Sequence, residues 1–174
     1  NYAILMTDGY YNDGDSGGEH DNNNGSTITS PKGTSYTYTP SSPFASSASN
    51  TLADIAMNYW KNELDAGWSA GDKLDNTVPT TTQNPAFWQH MVTFGVGFGV
   101  TGTVNPTTAF NAITGGGSVT WPSTSTEPGK IDDLLHAAVN GRGGFFTAGD
   151  PIAFAQGLAE TLSNIAERVG TASN

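Results

Sequence analysis

Three short apolar runs alternate with three amphipathic segments along this chain, and their order constrains the fold more than any other feature. Apolar runs without polar alternation are typical of strands that are buried on both faces of a parallel sheet. Strand–helix alternation implies right-handed crossovers between parallel strands, so the sequence predicts an α/β fold. The predicted elements, in chain order, are Tyr2–Met6, Thr51–Leu64, Met91–Val100, Ile131–Ala138, Phe145–Thr147 and Asp150–Gly170.

Local signals mark the ends of the predicted helices. Thr51 followed by Asp54 resembles a capping box, with Asp in place of the usual Glu. Asp150 is the expected N-cap of the last helix, with Pro151 at its first position. Asp132 and Asp133 are expected at the positive N-terminal end of the middle helix, which should stop at Asn140-Gly141. The predicted core stripe of the last helix is Phe154, Ala155, Leu158, Leu162, Ile165 and Val169.

Long polar insertions separate these elements, at about residues 10–49, 65–87 and 101–129. They are rich in Asn, Gly, Ser, Thr and Pro, and only 107–113 suggests a short helix. Such long irregular segments are expected to be functional or poorly ordered. Their aromatic residues have two interpretations, as anchors at the edge of the core or as contacts for a partner or glycan. These residues are Tyr36, Tyr38, Trp68, Trp88 and Trp121.

The composition excludes several classes of partner. Six Lys and Arg face sixteen Asp and Glu, a formal net charge of −10, so phosphate backbones are repelled and no nucleic-acid partner is expected. The absence of Cys excludes disulfides and thiolate metal sites. No apolar run approaches the roughly 18 residues that span a bilayer. Because it opens directly into an apolar run, we interpret the chain as a fragment of a longer protein.

Three segments resemble strands of the von Willebrand factor A fold. Ala3–Gly9 is similar to its fourth strand, which typically ends in Thr-Asp-Gly, and Thr93–Gly99 is similar to the fifth. Gly144–Ala148, followed by Asp150 and an amphipathic helix, is similar to the sixth strand and last helix. The resemblance implies a doubly wound, mostly parallel sheet (von Willebrand A or Rossmann-like), with residues 1–174 forming the C-terminal part of a single domain.

Three further segments are similar to type IV pilus tip proteins of the PilY family. They are Asp8–Asn12, Trp88–Met91 and, most specifically, the long run Lys130–Gly143. This resemblance implies a non-enzymatic adhesion and assembly domain at an extracellular pilus tip. Its implied partners are minor pilins or other tip subunits and a host or abiotic surface. It also implies that Tyr2–Met6 pairs with a strand from the missing N-terminal half of the domain or from another chain.

The resemblance places Asp8 at the position of the family's divalent-ion site. That site also uses an Asp-x-Ser-x-Ser motif and a Thr from a later loop, and no Asp-x-Ser-x-Ser occurs in this chain. A second candidate is the loop of residues 12–25, whose carboxylates could wrap a Ca²⁺ ion, although its spacing differs from an EF-hand. A solvated flexible loop is the alternative. The metal candidates for Mg²⁺ or Ca²⁺ are therefore Asp8, Asp13, Asp15, Glu19 and Asp21.

Two other patterns have weaker support. Gly97–Gly102 matches Gly-x-Gly-x-x-Gly after a strand, which is the pattern of a dinucleotide-binding loop. Such a loop should open a long helix, and none is predicted to follow. We therefore expect these glycines to serve a turn and close packing, and we expect no organic cofactor. Asp132 and His136 share one helix face and could both ligate a metal. A second His would be needed nearby, which favours a helix-terminal charge and a hydrogen-bonded His instead.

Three functional hypotheses follow. The first is the non-enzymatic adhesion and pilus-assembly domain, linked to a cation in the intact domain. The second is a metal-regulated protein- or glycan-binding module of another extracellular matrix or surface protein. The third is an enzyme whose catalytic metal is held by Asp8 and the acidic loop. The many Ser and Thr residues lie in loops, and the sequence contains no P-loop or His–carboxylate cluster, so we expect no enzyme.

Overall fold

The computed structural model describes residues 1–11, 17–18, 20–64 and 77–172. In this part of the chain a small parallel sheet is combined with four helices and a short hairpin. The strands are β1 (Tyr2–Thr7), β2 (Ile28–Thr29), β3 (Ser35–Tyr36), β4 (Val92–Phe98) and β5 (Phe145–Ala148). The helices are α1 (Leu52–Lys61), α2 (Pro106–Ala112), α3 (Glu127–Asn140) and α4 (Pro151–Ala172).

The sheet has the order β1-β4-β5, and both strand pairs are parallel. Tyr2 pairs with Val92 and Thr7 with Gly97, so β1 lies beside β4 along its whole length. This confirms the α/β prediction and the parallel sheet. Because β4 is the central strand, β1 and β5 are the edges, and the carboxyl ends of β1 and β4 meet at one end of the sheet.

Helices α3 and α4 pack on opposite faces of this sheet. A side chain added at Gly95 of β4 would meet Leu134 of α3, whereas one added at Gly157 of α4 would meet Phe146 of β5. Phe146 pairs with Val96, the neighbour of Gly95, and neighbouring strand residues point to opposite faces. Helix α1 packs against α3 and therefore belongs to the first layer.

The insertions build a second core of aromatic residues. Tyr38, Trp60 and Trp88 are buried together, with Trp60 and Trp88 in edge-to-face contact at 5.4 Å between ring centroids. The hairpin of β2 and β3 adds Tyr36, 5.2 Å from Trp88. The prediction that residues 10–49 lack regular structure was thus wrong for this hairpin. Tyr38 and Trp88 act as core anchors, and Trp68 lies outside the described residues.

The helix starts follow the sequence signals except at α3. The capping box of Thr51 and Asp54 is present, and Asp150 accepts hydrogen bonds from the N–H groups of Ile152 and Ala153. Helix α2 confirms the short helix expected near 107–113. Helix α3, however, begins at Glu127 with Thr126 as its N-cap, so the predicted start at Ile131 was wrong.

This earlier start moves Asp132 and Asp133 away from the end of the helix. Both carboxylates lie in the second turn of α3 and are buried, so the prediction that they stabilise the helix dipole was wrong. At the other end of α3, the left-handed residue is Arg142, with φ of 57°, rather than Gly141. The expected stop at Asn140-Gly141 is otherwise confirmed, because α3 ends at Asn140.

Helix α4 departs from its predicted core stripe. Phe154, Leu158 and Ile165 are half-buried as expected, but Ala155 is exposed and Leu162 is 52% exposed. Gly157 and Thr161 are buried in their place, because they lie on the side that faces β5. The apolar arc of α4 is therefore wider than the surface that the three-stranded sheet covers.

Candidate functional site

Asp8 lies where the sequence placed it, directly after β1 at the carboxyl end of the sheet. Its side chain is exposed, and the turn around it is closed by Thr7, whose Oγ1 donates to the Gly9 carbonyl and accepts from the Gly9 N–H. A cavity of about 440 Å³ opens beside it, lined by Met6, Thr7, Asp8, Phe98 and Phe154. Open α/β sheets bind ligands at this end of their strands.

The described residues do not by themselves fit the family's ion site. Of the described residues that line this cavity, only Asp8 carries a carboxylate, and a hard divalent cation requires several oxygen ligands. Among residues 1–11, 17–18, 20–64 and 77–172, no group of three or more His, Asp or Glu side chains is arranged to hold a metal. Asp13, Asp15 and Glu19 lie outside these residues, so the calcium loop stays a prediction.

Asp21, the remaining candidate ligand, is fully buried against α1 and α3. Its Oδ1 accepts a hydrogen bond from the Ser46 N–H at 2.9 Å, and its own N–H donates to Asp54 of α1 at 2.6 Å. The Tyr38 hydroxyl donates to its carbonyl at 2.6 Å. Asp21 thus connects two parts of the first insertion to the helical layer.

A row of buried polar side chains on α3 holds three different segments of the chain. We call this set the α3 polar row; it consists of Asp132, Asp133, His136 and Asn140. Asn140 Nδ2 donates to the Ala53 carbonyl at 3.0 Å and approaches Asp21 Oδ2 at 3.5 Å. Burying a polar group is costly unless it is hydrogen-bonded, so the bonds of this row fix where its partner segments lie.

Asp132 binds the segment that follows β4. Its two oxygens accept from the N–H groups of Thr103 and Val104 at 2.8 to 3.0 Å, and from the Thr103 hydroxyl at 2.7 Å. A side chain at Gly102 would collide with this carboxylate. The glycines after β4 therefore serve turns and close packing, as the sequence indicated. Asp132 is hydrogen-bonded to backbone N–H groups and is not paired with His136.

Asp133 binds the N-terminus of α1. Its oxygens accept from the Leu52 N–H at 2.9 Å and the Ala53 N–H at 3.1 Å, and the Tyr11 hydroxyl donates to it at 2.9 Å. The first N–H groups of a helix have no intrahelical acceptor, so a carboxylate there satisfies them and also favours the positive helix end. Burial nevertheless raises the pKa of Asp133, against the lowering effect of these bonds.

His136 binds Phe44 of the first insertion. Its Nε2 donates to the Phe44 carbonyl at 2.8 Å, Trp121 stacks on its ring at 4.0 Å between centroids, and Asp21 Oδ2 lies 3.4 Å from the same nitrogen. Burial lowers the pKa of His136 to about 3, although the bond to Phe44 acts in the opposite direction. The hydrogen-bonded interpretation of His136 is confirmed.

Arg142, just beyond the end of α3, also contacts the first insertion and α1. Its guanidinium lies 3.7 Å from the ring centroid of Phe44 and 3.9 Å from that of Trp60, and it donates to the carbonyls of Val139 and Asn140. Burial lowers its pKa to about 9, still well above neutral pH. A buried cation between two aromatic faces links α3 to both the first insertion and α1.

The sequence signalled the residues of the α3 polar row without revealing their role. They fall in the run Lys130–Gly143, where four polar residues interrupt an apolar helix at spacings that keep them on the packed side. Polar residues are rarely fully buried unless they are partnered. Two carboxylates within a buried helix could therefore have indicated hydrogen bonds to distant backbone groups. The sequence does not show which groups these are.

Asp21 should make stability depend on pH. Burial raises its pKa from 3.8 to about 7, so the folded chain binds more protons than the unfolded chain between these values. Stability relative to Asp21→Asn should therefore fall by about 2–4 kcal/mol as the pH rises from 4 to 7, and then stay level. Urea unfolding of both proteins across this range would measure the difference.

The subtraction removes the contributions of groups that lie away from Asp21. His136, whose pKa is lowered by burial, destabilises the folded chain as the pH falls below about 6.5. It is present in both proteins, and its 3.4 Å contact with Asp21 belongs to the difference that is measured. Asn at position 21 can still accept from the Ser46 N–H, so folding is retained. Parallel stability profiles for the two proteins would show that Asp21 titrates normally.

These features define a class of protein: an α/β domain with a parallel sheet, whose central helix anchors long insertions through buried polar side chains. The chain is similar to Type IV pilus biogenesis factor PilY1 of Pseudomonas aeruginosa. It is 37% identical to the protein of strain UCBPP-PA14 over 190 residues, which cover 96% of this chain. The proteins of strains PAK and PAO1 are 36% and 32% identical, each over 94% of this chain.

The similarity concerns a limited part of those relatives. The chain spans only 15 to 16% of the length of each of these three proteins. No protein-family model matches the chain, and no solved structure matches it. Within the part of the chain that the structure describes, no helix has both the length and the hydropathy that crossing a membrane requires.

Proposed function

We propose that this chain is part of a non-enzymatic domain that works in type IV pilus assembly and surface attachment. The observation that carries the proposal is the 37% identity to a type IV pilus biogenesis factor over nearly the whole chain. An extracellular position at a pilus tip, with minor pilins or other tip subunits as partners, belongs to the same proposal. So does adhesion to a host or abiotic surface.

The arrangement of α3 supports an assembly or adhesion role over catalysis. The buried carboxylates Asp132 and Asp133 are occupied by backbone N–H groups, and His136 by a carbonyl, so they are engaged in holding insertions. Such a scaffold suits a protein that presents long loops to partners, because binding residues are often carried by loops on a rigid framework. The run Lys130–Gly143, which is the most PilY-like part of the sequence, supplies this scaffold.

We further propose that the chain is the C-terminal part of a von Willebrand A-type domain. The parallel order β1-β4-β5, with Thr7-Asp8-Gly9 ending the first strand, supports this. In the intact domain β1 would pair with a further strand, and Asp8 would join ligands for Mg²⁺ or Ca²⁺ from outside these residues. A metal-regulated protein- or glycan-binding module of another surface protein is the alternative.

A segment exchange in Pseudomonas aeruginosa UCBPP-PA14 would test the pilus role. The segment of PilY1 that matches this chain is replaced by residues 1–174, and surface pili are measured by shearing and immunoblotting. We expect the exchanged protein to restore pili to a strain that lacks PilY1, because the two segments are 37% identical. A matched exchange that carries Asp133→Ala, which should destabilise the scaffold, is expected to restore fewer pili.

The level of the exchanged protein decides how a failure is interpreted. If the protein accumulates to the normal level but pili are absent, the proposed assembly role is contradicted. If the Asp133→Ala exchange restores pili as well as the unmodified one, these residues are dispensable for assembly, which also contradicts the proposal. Attachment to surfaces, measured in the same strains at equal piliation, separates adhesion from assembly.

A further inference from the structure

His136 presents one ring nitrogen that still requires a hydrogen-bond donor. Its Nε2 donates to the Phe44 carbonyl at 2.8 Å and lies 3.4 Å from Asp21 Oδ2. Burial lowers the pKa of His136 to about 3, so at neutral pH the ring carries a single proton, which the bond to Phe44 places on Nε2. Nδ1 is therefore an acceptor, and no donor among the described residues bonds to it.

A small polar cavity adjoins this ring, between α3 and the insertions of residues 10–49 and 101–129. Its polar walls are Ser46, Thr51, Thr124, Asp132, Asp133 and His136. All of its lining residues are buried or half-buried. Phe44 and Asp21, the contacts of Nε2, do not line it, and Trp121 stacks on a face of the ring. The edge of His136 that carries Nδ1 is therefore the one that meets the cavity.

The size and chemistry of this cavity match one water molecule. The space open to the centre of a water molecule is about 10 Å³, which is room for one water and for no larger ligand. A buried water makes about three hydrogen bonds, as donor and as acceptor. Among the described residues no group of three or more His, Asp and Glu side chains is arranged to hold a metal ion, which separates this cavity from a cation site.

We propose that this cavity binds a single water molecule that joins His136 to Ser46. The water donates one proton to Nδ1 of His136. The Ser46 hydroxyl, which no other described residue engages, donates to the water oxygen. The second water proton goes to Asp132 or Asp133, which also line the cavity and whose oxygens have further lone pairs. The first insertion is then held on α3 from both nitrogens of one ring, through Phe44 directly and through Ser46 by way of the water.

This arrangement gives His136 a task that an apolar ring could not perform. A Phe at this position would stack on Trp121 as well, but it would leave the Phe44 carbonyl and the Ser46 hydroxyl without these bonds. Neither bond involves a partner of the chain, so the water site can be tested independently of the proposed pilus role.

A high-resolution crystal structure of the 174-residue chain and NMR of its histidine rings test this site. We expect one ordered water within about 3.2 Å of both His136 Nδ1 and Ser46 Oγ. The ¹⁵N shift of Nδ1 should be that of an unprotonated nitrogen, and water–protein NOE spectra should show cross-peaks at the His136 ring. His90 is the internal control, because it is also buried but its ring nitrogens lie 2.9 Å from Asn84 Nδ2 and 2.7 Å from the Trp88 carbonyl. We expect no water cross-peak there.

Ser46→Ala removes one partner of the water and keeps the Ser46 N–H bond to Asp21, so folding should be retained. The residence time of the bound water, measured by deuteron relaxation dispersion, should shorten about two- to tenfold, the value of one hydrogen bond. Ser47→Ala, at an exposed neighbour that does not line the cavity, should leave it unchanged. A proton on Nδ1, or a protein group in place of the water, would overturn the proposal. So would equal shortening by the two variants, or an ion with oxygen contacts of about 2.4 Å in the cavity.

Discussion

Asp133→Ala should destabilise the folded chain by about 3–5 kcal/mol, because it leaves three hydrogen-bond donors without their acceptor. Two of these are the Leu52 and Ala53 N–H groups at the start of α1, and the third is the Tyr11 hydroxyl. The loss should separate the N-terminus of α1 from α3. Urea unfolding at pH 7 measures the free energy, and hydrogen exchange at Leu52 and Ala53 measures the local opening.

Two further variants show whether the hydrogen bonds are responsible. Asp133→Asn keeps the size of the side chain and one acceptor oxygen, so it should cost about half as much as Asp133→Ala. Asp8→Asn, at an exposed carboxylate, should change stability by less than about 0.5 kcal/mol. A loss for Asp133→Ala no larger than that for Asp8→Asn would mean that α1 is held by other contacts.

The elements that could be predicted from the sequence are those whose signals are local. Thr51 with Asp54, and Asp150 with Pro151, are separated by three residues or fewer, and both helix starts were found. Strand β4 was visible because it is buried on both faces, which leaves a nearly continuous apolar run. The start of α3 also had a local signal, Thr126 followed by Pro128, but the apolar period begins only at Ile131.

The contacts that could not be predicted from the sequence are those between residues far apart in the chain. Asp133 accepts from N–H groups about 80 positions earlier in the chain, and such partners leave no periodic trace. Tyr38, Trp60 and Trp88 meet across insertions of irregular composition, so their core appeared as three separate aromatic residues. Leu162 fits an apolar stripe whether that stripe packs on the sheet or, as observed, remains exposed.

Trp60→Ala should cost about 3–5 kcal/mol, the range for removing a large buried aromatic side chain. Trp60 is fully buried between Tyr38, Trp88 and the guanidinium of Arg142. Its indole N–H donates to Asn84 Oδ1 at 3.0 Å, so the change also removes the shorter of the two hydrogen bonds to this buried amide oxygen. Trp60→Phe keeps most of the volume but loses the indole N–H, and its cost should be intermediate.

The neighbouring Tyr59 provides the matched control, because it is also aromatic and lies on the same helix but is 49% exposed. Tyr59→Ala should cost less than about 1 kcal/mol. Since the aromatic core joins the insertions to α1, Trp60→Ala should also accelerate hydrogen exchange at the Gly25 and Val78 N–H groups, which bond to the carbonyls of Tyr38 and Phe87. Exchange in β4, by contrast, should follow global stability alone. Equal losses for Trp60→Ala and Tyr59→Ala, with no local change at Gly25 or Val78, would mean that the insertions are held without the aromatic core.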